Sequence, residues 1–549
     1  MRALLLRAAF AGLLAWSAYL LTAESAATLA VDIRDAATGK PVPAMVCITS
    51  LADHQWRVPP DGTAAPPYSR VRDFYDPAPW KPGQIGPVRI TGAETRDNQA
   101  RVPIYDGQAS YPYWKEPAAY FVPQAFSIHL PAGRWRLAVA RGVEFIPYAE
   151  EFDASAGGTL TRSIRLRRWI DMPKLGWYSG DDHVHYPRLR PDQNEFLMTW
   201  ARAEDVHVAN ILRMGDDKGV YFEQSGYGKS ARYQVDDYVL ASGQEDPRTN
   251  IAEQGHVIAL NITAPIRDVS RYHQYDSMFD GAHRQGAITG YAHIAWAYDF
   301  HTRNNAPTRF PTWDPNIDVP RGKADFFEIM QFRHLGLEDF YDFLNLGYRV
   351  TASAGSDLPW GSSIGEVRTY AYTGPKFSAD AWFDAVKRGH TFVTNGPMLT
   401  LTAGKLIPGD EKPVDHPEHF RIRARAWAPP EIGKPKLLEV IANGKVIRSA
   451  PAEVDFDLLL NRGQWIAARV TCENGAVAHT SPIYFNFAGM GFGDASQMAA
   501  IAAKRIERLD FIESRIQTRG LAKEYGPEEQ ALRSRIAEAR AIYQKLEKK

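Results

Sequence analysis

Apolar and polar positions alternate along much of the chain, and the first block of this pattern lies between residues 29 and 170. Val31 and Ile33 share one face, Thr38 and Gly39 interrupt them, and a second apolar run covers residues 42–48. A period of two with turn residues between runs predicts strands half-buried against a core. Phe126, Ile128 and Leu130 alternate in the same way, as do Trp135, Leu137 and Val139, with residues 131–133 as a turn between them. This spacing predicts a hairpin within a small β-sandwich over residues 28–170. Residues 56–113 are dense in proline, glycine and aromatics without a period and read as an ordered loop.

Between residues 177 and 399 the texture changes to short apolar runs separated by amphipathic stretches, which predicts an α/β domain over residues 171–404. One helix can be placed with both ends. Ser378 caps it, Asp380 lies in its first turn, Trp382, Phe383 and Val386 form its apolar face, and Gly389 ends it. Alternation returns with Phe420, Ile422, Ala424 and Ala426 set against Arg421, Arg423 and Arg425, and Asn443-Gly444 and Asn474-Gly475 supply hairpin turns. Residues 405–490 therefore read as a second β-sandwich. Within residues 491–549, Asp494 with Gln497 resembles a capping box, Gly526 and Pro527 open a further helix, and Leu532, Ile536, Ala539, Tyr543 and Leu546 repeat along one side. A helical hairpin packed on the body is the expectation.

Composition narrows the function more than the fold. The 549 residues carry 64 basic and 64 acidic side chains, so no global field draws in nucleic acid or an anionic membrane, and the expected partner is a small-molecule substrate. Residues 1–27 read as an export signal: Arg2 and Arg7 precede an apolar run at 8–21, followed by small residues around a cleavage point between Ser25 and Ala27. The expected location is periplasmic or secreted, without stable membrane insertion after cleavage. With only Cys47 and Cys472 present, in different predicted domains, disulfides do not form the framework. Nothing in the pattern specifies an oligomeric state.

The chemistry begins at Gly180-Asp181-Asp182-His183-Val184-His185, where two imidazoles two residues apart on a strand face the same way and can reach one cation. Alone, that spacing is weak. Four further polar residues sit at the ends of apolar runs: Glu245 after Ser242-Gly243-Gln244, His256 after Gly255 and before residues 257–260, His293 after residues 288–292, and Asp357 after Ala354-Gly355-Ser356. In an α/β barrel such strand ends converge on one rim.

In this order the motifs resemble those of the polymerase and histidinol phosphatase (PHP) superfamily and, within it, the CehA/McbA metallohydrolases. The Gly-Asp-X-His-Val-His opening, the Glu and Gly-His pair, Ala-His at 293, Gly-Ser-Asp at 357 and Thr394-Asn395-Gly396-Pro397 carry the resemblance, over about residues 177–399. It implies a distorted (β/α)7 barrel flanked by the two β-sandwiches and the helical tail. It also implies a first cation on His183, His185, Glu245 and Asp357, and a second on Glu245, His256 and His293. Glu245 would bridge them; Glu253 is a rival for that role because it lies nearer His256 in sequence. The cofactor would be one or two divalent ions, Zn, Mn or Fe, and the nucleophile a metal-bound water rather than a side chain.

Places that hold a third metal in many members differ here: Tyr186, Pro187 and Arg188 follow His185, Asp216 and Asp217 stand where an Asp-His pair is expected, and Pro359 lies two beyond Asp357. Asp216 and Asp217 remain as extra candidate carboxylates. Arg368 is a candidate oxyanion contact, with a structural ion pair as the competing reading. Trp296, His334 and Asn395 are candidate pocket residues, set against core packing for Trp296 and a turn for Asn395; nothing fixes the direction of Arg333 or His334. Together these imply an exported hydrolase of a carboxylic or carbamic ester or amide. The alternatives are a metal-dependent phosphoesterase and a non-catalytic binding protein with a vestigial metal site.

Overall fold

The computed structural model describes residues 26–63, 114, 116, 119–216, 219–249, 254–294, 312–331, 334–359, 361, 363–518 and 526–548. Residues 1–25, most of the 56–113 loop, Asp217, Glu253, Trp296 and Arg333 lie outside the described residues, so the readings made on them are not addressed by it.

The first strands form two layers. Ala27–Asp35 pairs with Phe126–Leu130 and Thr159–Leu166, while Ala44–Ser50 pairs with Gly133–Ala140, which in turn pairs with Tyr148–Ala154. Side chains from both layers, among them Leu29, Val31, Ile48, Leu130, Leu137 and Val139, fill one apolar core. The expected hairpin across residues 131–133 does not form. Its two strands bond to different sheets, because the turn carries the chain from one layer to the other, and alternation reports a buried face but not the partner.

The central region corrects the expected (β/α)7 barrel. Trp177–Val184, Val208–Gly215 and Tyr238–Thr249 are parallel neighbours, and so are Ile288–Tyr291, Phe326–Gln331 and Thr351–Ala354. Between these two sets Gly255–Leu260 runs antiparallel to both its neighbours, and Arg368–Tyr372 runs antiparallel to Trp177–Val184 and to Thr391–Thr394. Among the described residues no α-helix separates Tyr238–Thr249 from Val208–Gly215; two short strands and one turn of 3-10 helix do. The hydrogen-bonded ring also continues into the C-terminal part, because Thr391–Thr394 pairs with Val477–Thr480. The described chain is thus a predominantly β protein with mixed strand directions, not seven repeated βα units. The antiparallel strand misleads because Val257, Ile258, Ala259 and Leu260 are all fully buried. A strand covered on both faces shows a continuous apolar run whichever way it points.

Helix Ala379–Arg388 closes one end of this ring. Ser378 accepts a hydrogen bond from the Ala381 amide, and Gly389 ends the helix in the left-handed region. Trp382, Phe383 and Val386 pack on Tyr178, Val208, Val239, Leu260, Ile288 and Phe326, and a Cβ on Gly180 would meet the Trp382 ring at 2.2 Å. The N-terminal sandwich is held by a buried network in which Arg141 and Arg168 pair with Asp205, and Tyr370 Oη donates to Glu144 at 2.8 Å.

The C-terminal strands pair across the Asn443-Gly444 and Asn474-Gly475 turns. The last helices, Met498–Thr518 and Glu529–Glu547, pack together and against the body through Leu509, Ile512, Ile516, Leu532, Ile536, Ala539 and Tyr543.

Candidate metal centre

His183 sits near the end of Trp177–Val184 and His185 just beyond it. His183 Nδ1–H donates to Glu328 Oε1 at 2.9 Å, and His185 Nδ1–H donates to the Leu212 carbonyl at 3.2 Å. Each Nδ1 thereby has a donor role, and the two Nε2 atoms face each other 2.9 Å apart. Two imidazole lone pairs at that separation repel unless a cation or a proton lies between them. Burial opposes charge on His183, yet Glu328, Asp357 and Glu245 together outweigh it and hold its pKa well above the ordinary imidazole value.

Carboxylates complete the polyhedron. Asp357 Oδ1 lies 3.4 Å from His183 Nε2 and 3.6 Å from His185 Nε2, and Glu245 Oε2 lies 3.2 Å from His185 Nε2. Ligands at about 2.0–2.1 Å from a tetrahedral ion are separated by about 3.3 Å, a spacing that His183, His185 and Asp357 approach as one group, with Glu245 Oε2 beside His185. The other oxygens face a second position. Glu245 Oε1 is 3.7 Å and Asp357 Oδ2 3.4 Å from His293 Nε2. Both carboxylates therefore span the two positions, whereas the sequence singled out Glu245 alone. Burial raises both carboxyl groups, but the facing histidines lower them further, so each stays ionised.

His256 arrives from the start of its antiparallel strand and donates Nδ1–H to Glu245 Oε1 at 2.7 Å. As a ligand through Nδ1 it would have to give up that proton, whereas Nε2 could bind without losing it. Burial first, against the pull of Glu245, sets its pKa to about 4, so it is neutral near pH 7. His293 and Asp357 both hold the left-handed backbone, with φ of 58° and 52°. For residues other than glycine this costs on the order of 1–3 kcal/mol each, and such outliers concentrate at functional sites.

No protein-family model matches the chain, and no curated protein sequence matches it. Among solved structures, the fibronectin(III)-like modules of Clostridium thermocellum CbhA align at 24% identity over 17% of this chain and 99% of theirs, with a TM-score of 0.13. A Bacteroides uniformis beta-glucuronidase 3 aligns at 8% identity over 69% of this chain and 59% of its own, with a TM-score of 0.14. A Paenibacillus cycloisomaltooligosaccharide glucanotransferase aligns at 11% over 71% and 67%, with a TM-score of 0.12. Similarities at this level carry no argument about fold or activity. The centre has to be read from its own geometry.

That geometry depends on residues the motifs did not single out for a role. Glu328, within Phe326–Gln331, accepts from His183 Nδ1 and, through Oε2, from the His293 amide at 2.8 Å. It sets the tautomer of one ligand and the backbone of another. Asp181 accepts from the amides of His183, Ser356 and Gly365, joining the two loops that carry His183 and Asp357; burial, set against these bonds, raises its pKa to about 6. Gln331 Nε2 donates to Asp357 Oδ2 at 3.1 Å. A Cβ on Gly355 would lie 2.3 Å from both His183 Cβ and Asp182 Oδ1, so only glycine fits there. The sequence did hold a signal for Glu328. A lone carboxylate in Phe-Phe-Glu-Ile-Met-Gln, a run buried throughout, requires a partner.

Other expected residues have different surroundings. Arg368 is fully buried and donates to the Gly365 carbonyl at 2.8 Å and the Glu204 carbonyl at 2.9 Å, which corrects the oxyanion reading to a structural one. Asp216 accepts from Tyr221 Oη and the Gly219 amide and does not join the ligand cluster. Asn395 Oδ1 accepts from the Val477 amide at 2.8 Å, tying the Thr394–Pro397 turn to the C-terminal sheet. His334 lies in a two-residue strand opposite Gln331. Arg248, which the motifs did not mark, is opposite His256 in the strand register, and directly opposed residues share a face.

Proposed function

We propose that this chain is an exported, metal-dependent hydrolase acting on a carboxylic or carbamic ester or amide. The observation that carries the proposal is the pair of Nε2 atoms on His183 and His185, facing each other 2.9 Å apart with both Nδ1 protons committed elsewhere. Glu245 and Asp357 add two ionised carboxylates facing the same space. One or two divalent ions bound there supply Lewis acidity, which polarises a carbonyl or phosphoryl oxygen and brings water toward ionisation near neutral pH.

The chain's own residues organise the rest. His183 and His185 from one strand end, with Glu245, His293 and Asp357 from three other segments, bring their donor atoms together. His256 holds a proton at Nδ1 against Glu245 Oε1, placing a neutral donor at the edge of the site. The ester or amide preference rests on the motif resemblance. Export rests on the basic, apolar and small-residue order of residues 1–27; no helix among the described residues is long and apolar enough to cross a membrane.

Zn, Mn and Fe analysis of the purified protein after reconstitution tests the first step, and absence of all three removes the hydrolase reading in favour of a binding protein. Aryl esters and carbamates assayed beside aryl phosphates test the second. Turnover of phosphates alone would overturn the substrate class. His183→Ala is expected to abolish turnover and bound metal while the circular dichroism spectrum is kept.

A further inference from the structure

The C-terminal helices have no ligand on them, yet they reach the part of the chain that carries His256 and His293. Arg535, only 5% exposed, lies 2.9 Å from Asp318, 3.3 Å from Asp314 and 3.0 Å from Asp276, and it donates to the His273 carbonyl at 3.2 Å. Glu528, at the start of the same helix, accepts from the His273 amide at 2.9 Å. From there the contacts run inward. Asp314 Oδ2 accepts from Gln254 Nε2 at 3.1 Å, the Asp314 amide donates to the Gln254 carbonyl at 3.2 Å, and His273 Nδ1 donates to Gln254 Oε1 at 3.1 Å. Gln254 is fully buried and stands two residues before His256.

A second branch reaches His293. Asp318 Oδ2 accepts from Tyr291 Oη at 2.6 Å, and Tyr291 lies two residues before His293. The His256 carbonyl accepts from the Ala292 amide at 3.0 Å, which closes the two branches on each other. His183 and His185, by contrast, are held by Glu328, Asp181 and the Leu212 carbonyl.

We propose that Arg535 is a positioning residue for the His256–His293 half of the centre, so that the C-terminal helical hairpin sets how well the second cation is held. The inference rests on the two-position reading of the metal centre. A buried guanidinium shared by three carboxylates fixes their relative positions, because moving any of them gives up a buried ion pair, although Asp276 and Asp318 also pair with Arg321. Groups beyond the ligands that orient them change metal affinity by about 10–100-fold.

The test uses the full chain and Zn2+ in competition with a chelator, on wild type, Arg535→Met and Arg535→Lys. The expected result is two Zn2+ in the wild type, one of them bound at least tenfold more weakly in Arg535→Met with the other unchanged, and partial recovery in Arg535→Lys. Equal weakening of both ions, or of neither, overturns the proposal. Where Arg535→Met does not fold, Gln254→Leu cuts the same path without stranding three carboxylates, and the same two outcomes apply. Hydrogen exchange on the metal-free protein provides a readout that needs no cation. Faster exchange in Gly255–Leu260 and Ile288–Tyr291 with Trp177–Val184 unchanged supports the clasp, and uniform or unchanged exchange overturns it. A wild type that binds no Zn2+ would sink the metal reading, while the exchange result would still decide whether Arg535 positions these strands.

Discussion

Glu328→Gln is the most informative single change at the centre, because it keeps volume and removes one acceptor. The carboxylate serves two donors at once, His183 Nδ1–H at 2.9 Å and the His293 amide at 2.8 Å. Glutamine offers one oxygen and one NH2 group. The His293 amide can only donate, so it takes the oxygen and leaves the NH2 facing His183. His183 then has to accept at Nδ1 and carry its proton on Nε2, the atom 2.9 Å from His185 Nε2 and 3.4 Å from Asp357. Binding a cation through Nε2 requires reversing that tautomer and setting two N–H groups against each other. Loss of a carboxylate that orients a ligand histidine costs about 10–100-fold in metal affinity, or about 1.4–2.7 kcal/mol. Chelator competition gives the affinity, and 15N shifts of His183 give the tautomer. Wild-type affinity with the proton still on Nδ1 would refute the reasoning.

Two further outcomes test the fold around the site. Arg368→Met should lower the unfolding free energy by up to about 3–5 kcal/mol, since it removes the buried cation 3.7 Å from the fully buried Glu204 carboxylate, which keeps the Ser363 hydroxyl at 2.8 Å, while leaving KM unchanged; a stable variant with a raised KM would return Arg368 to the substrate. His479 is buried, and that burial, with Arg469 nearby, lowers its pKa to about 3, so it is neutral when folded but takes a proton below about pH 6.5 when unfolded. Its contribution is therefore complete above pH 6.5 and is lost as pH falls toward 3, by about 1.4 kcal/mol per pH unit for the one proton. The stability advantage of wild type over His479→Gln in denaturant titrations should shrink between pH 7 and 4.5, and a constant difference would show that His479 is not held neutral.

The sequence by itself determined which residues could meet a cation and in what order along the chain. His183, His185, Glu245, His293 and Asp357 all follow or interrupt apolar runs, and the structure brings their donor atoms within a few ångströms. It also determined the Ser378-to-Gly389 helix, because caps and an apolar face at helical spacing are local properties. Strand direction and pairing were decided only in three dimensions. Periodicity of two states which side chains face a core, and that face is the same whether a strand runs up or down, so Gly255–Leu260 and Arg368–Tyr372 read as members of a parallel barrel that does not form. The same loss of information placed residues 126–130 and 133–140 in one hairpin when they belong to opposite layers. Tertiary structure alone also assigned the supporting roles of Glu328, Asp181 and Arg535. A buried charge must find its partner across the fold, and the distance along the chain between Glu328 and His183, or between Arg535 and Asp318, leaves no local trace of that pairing.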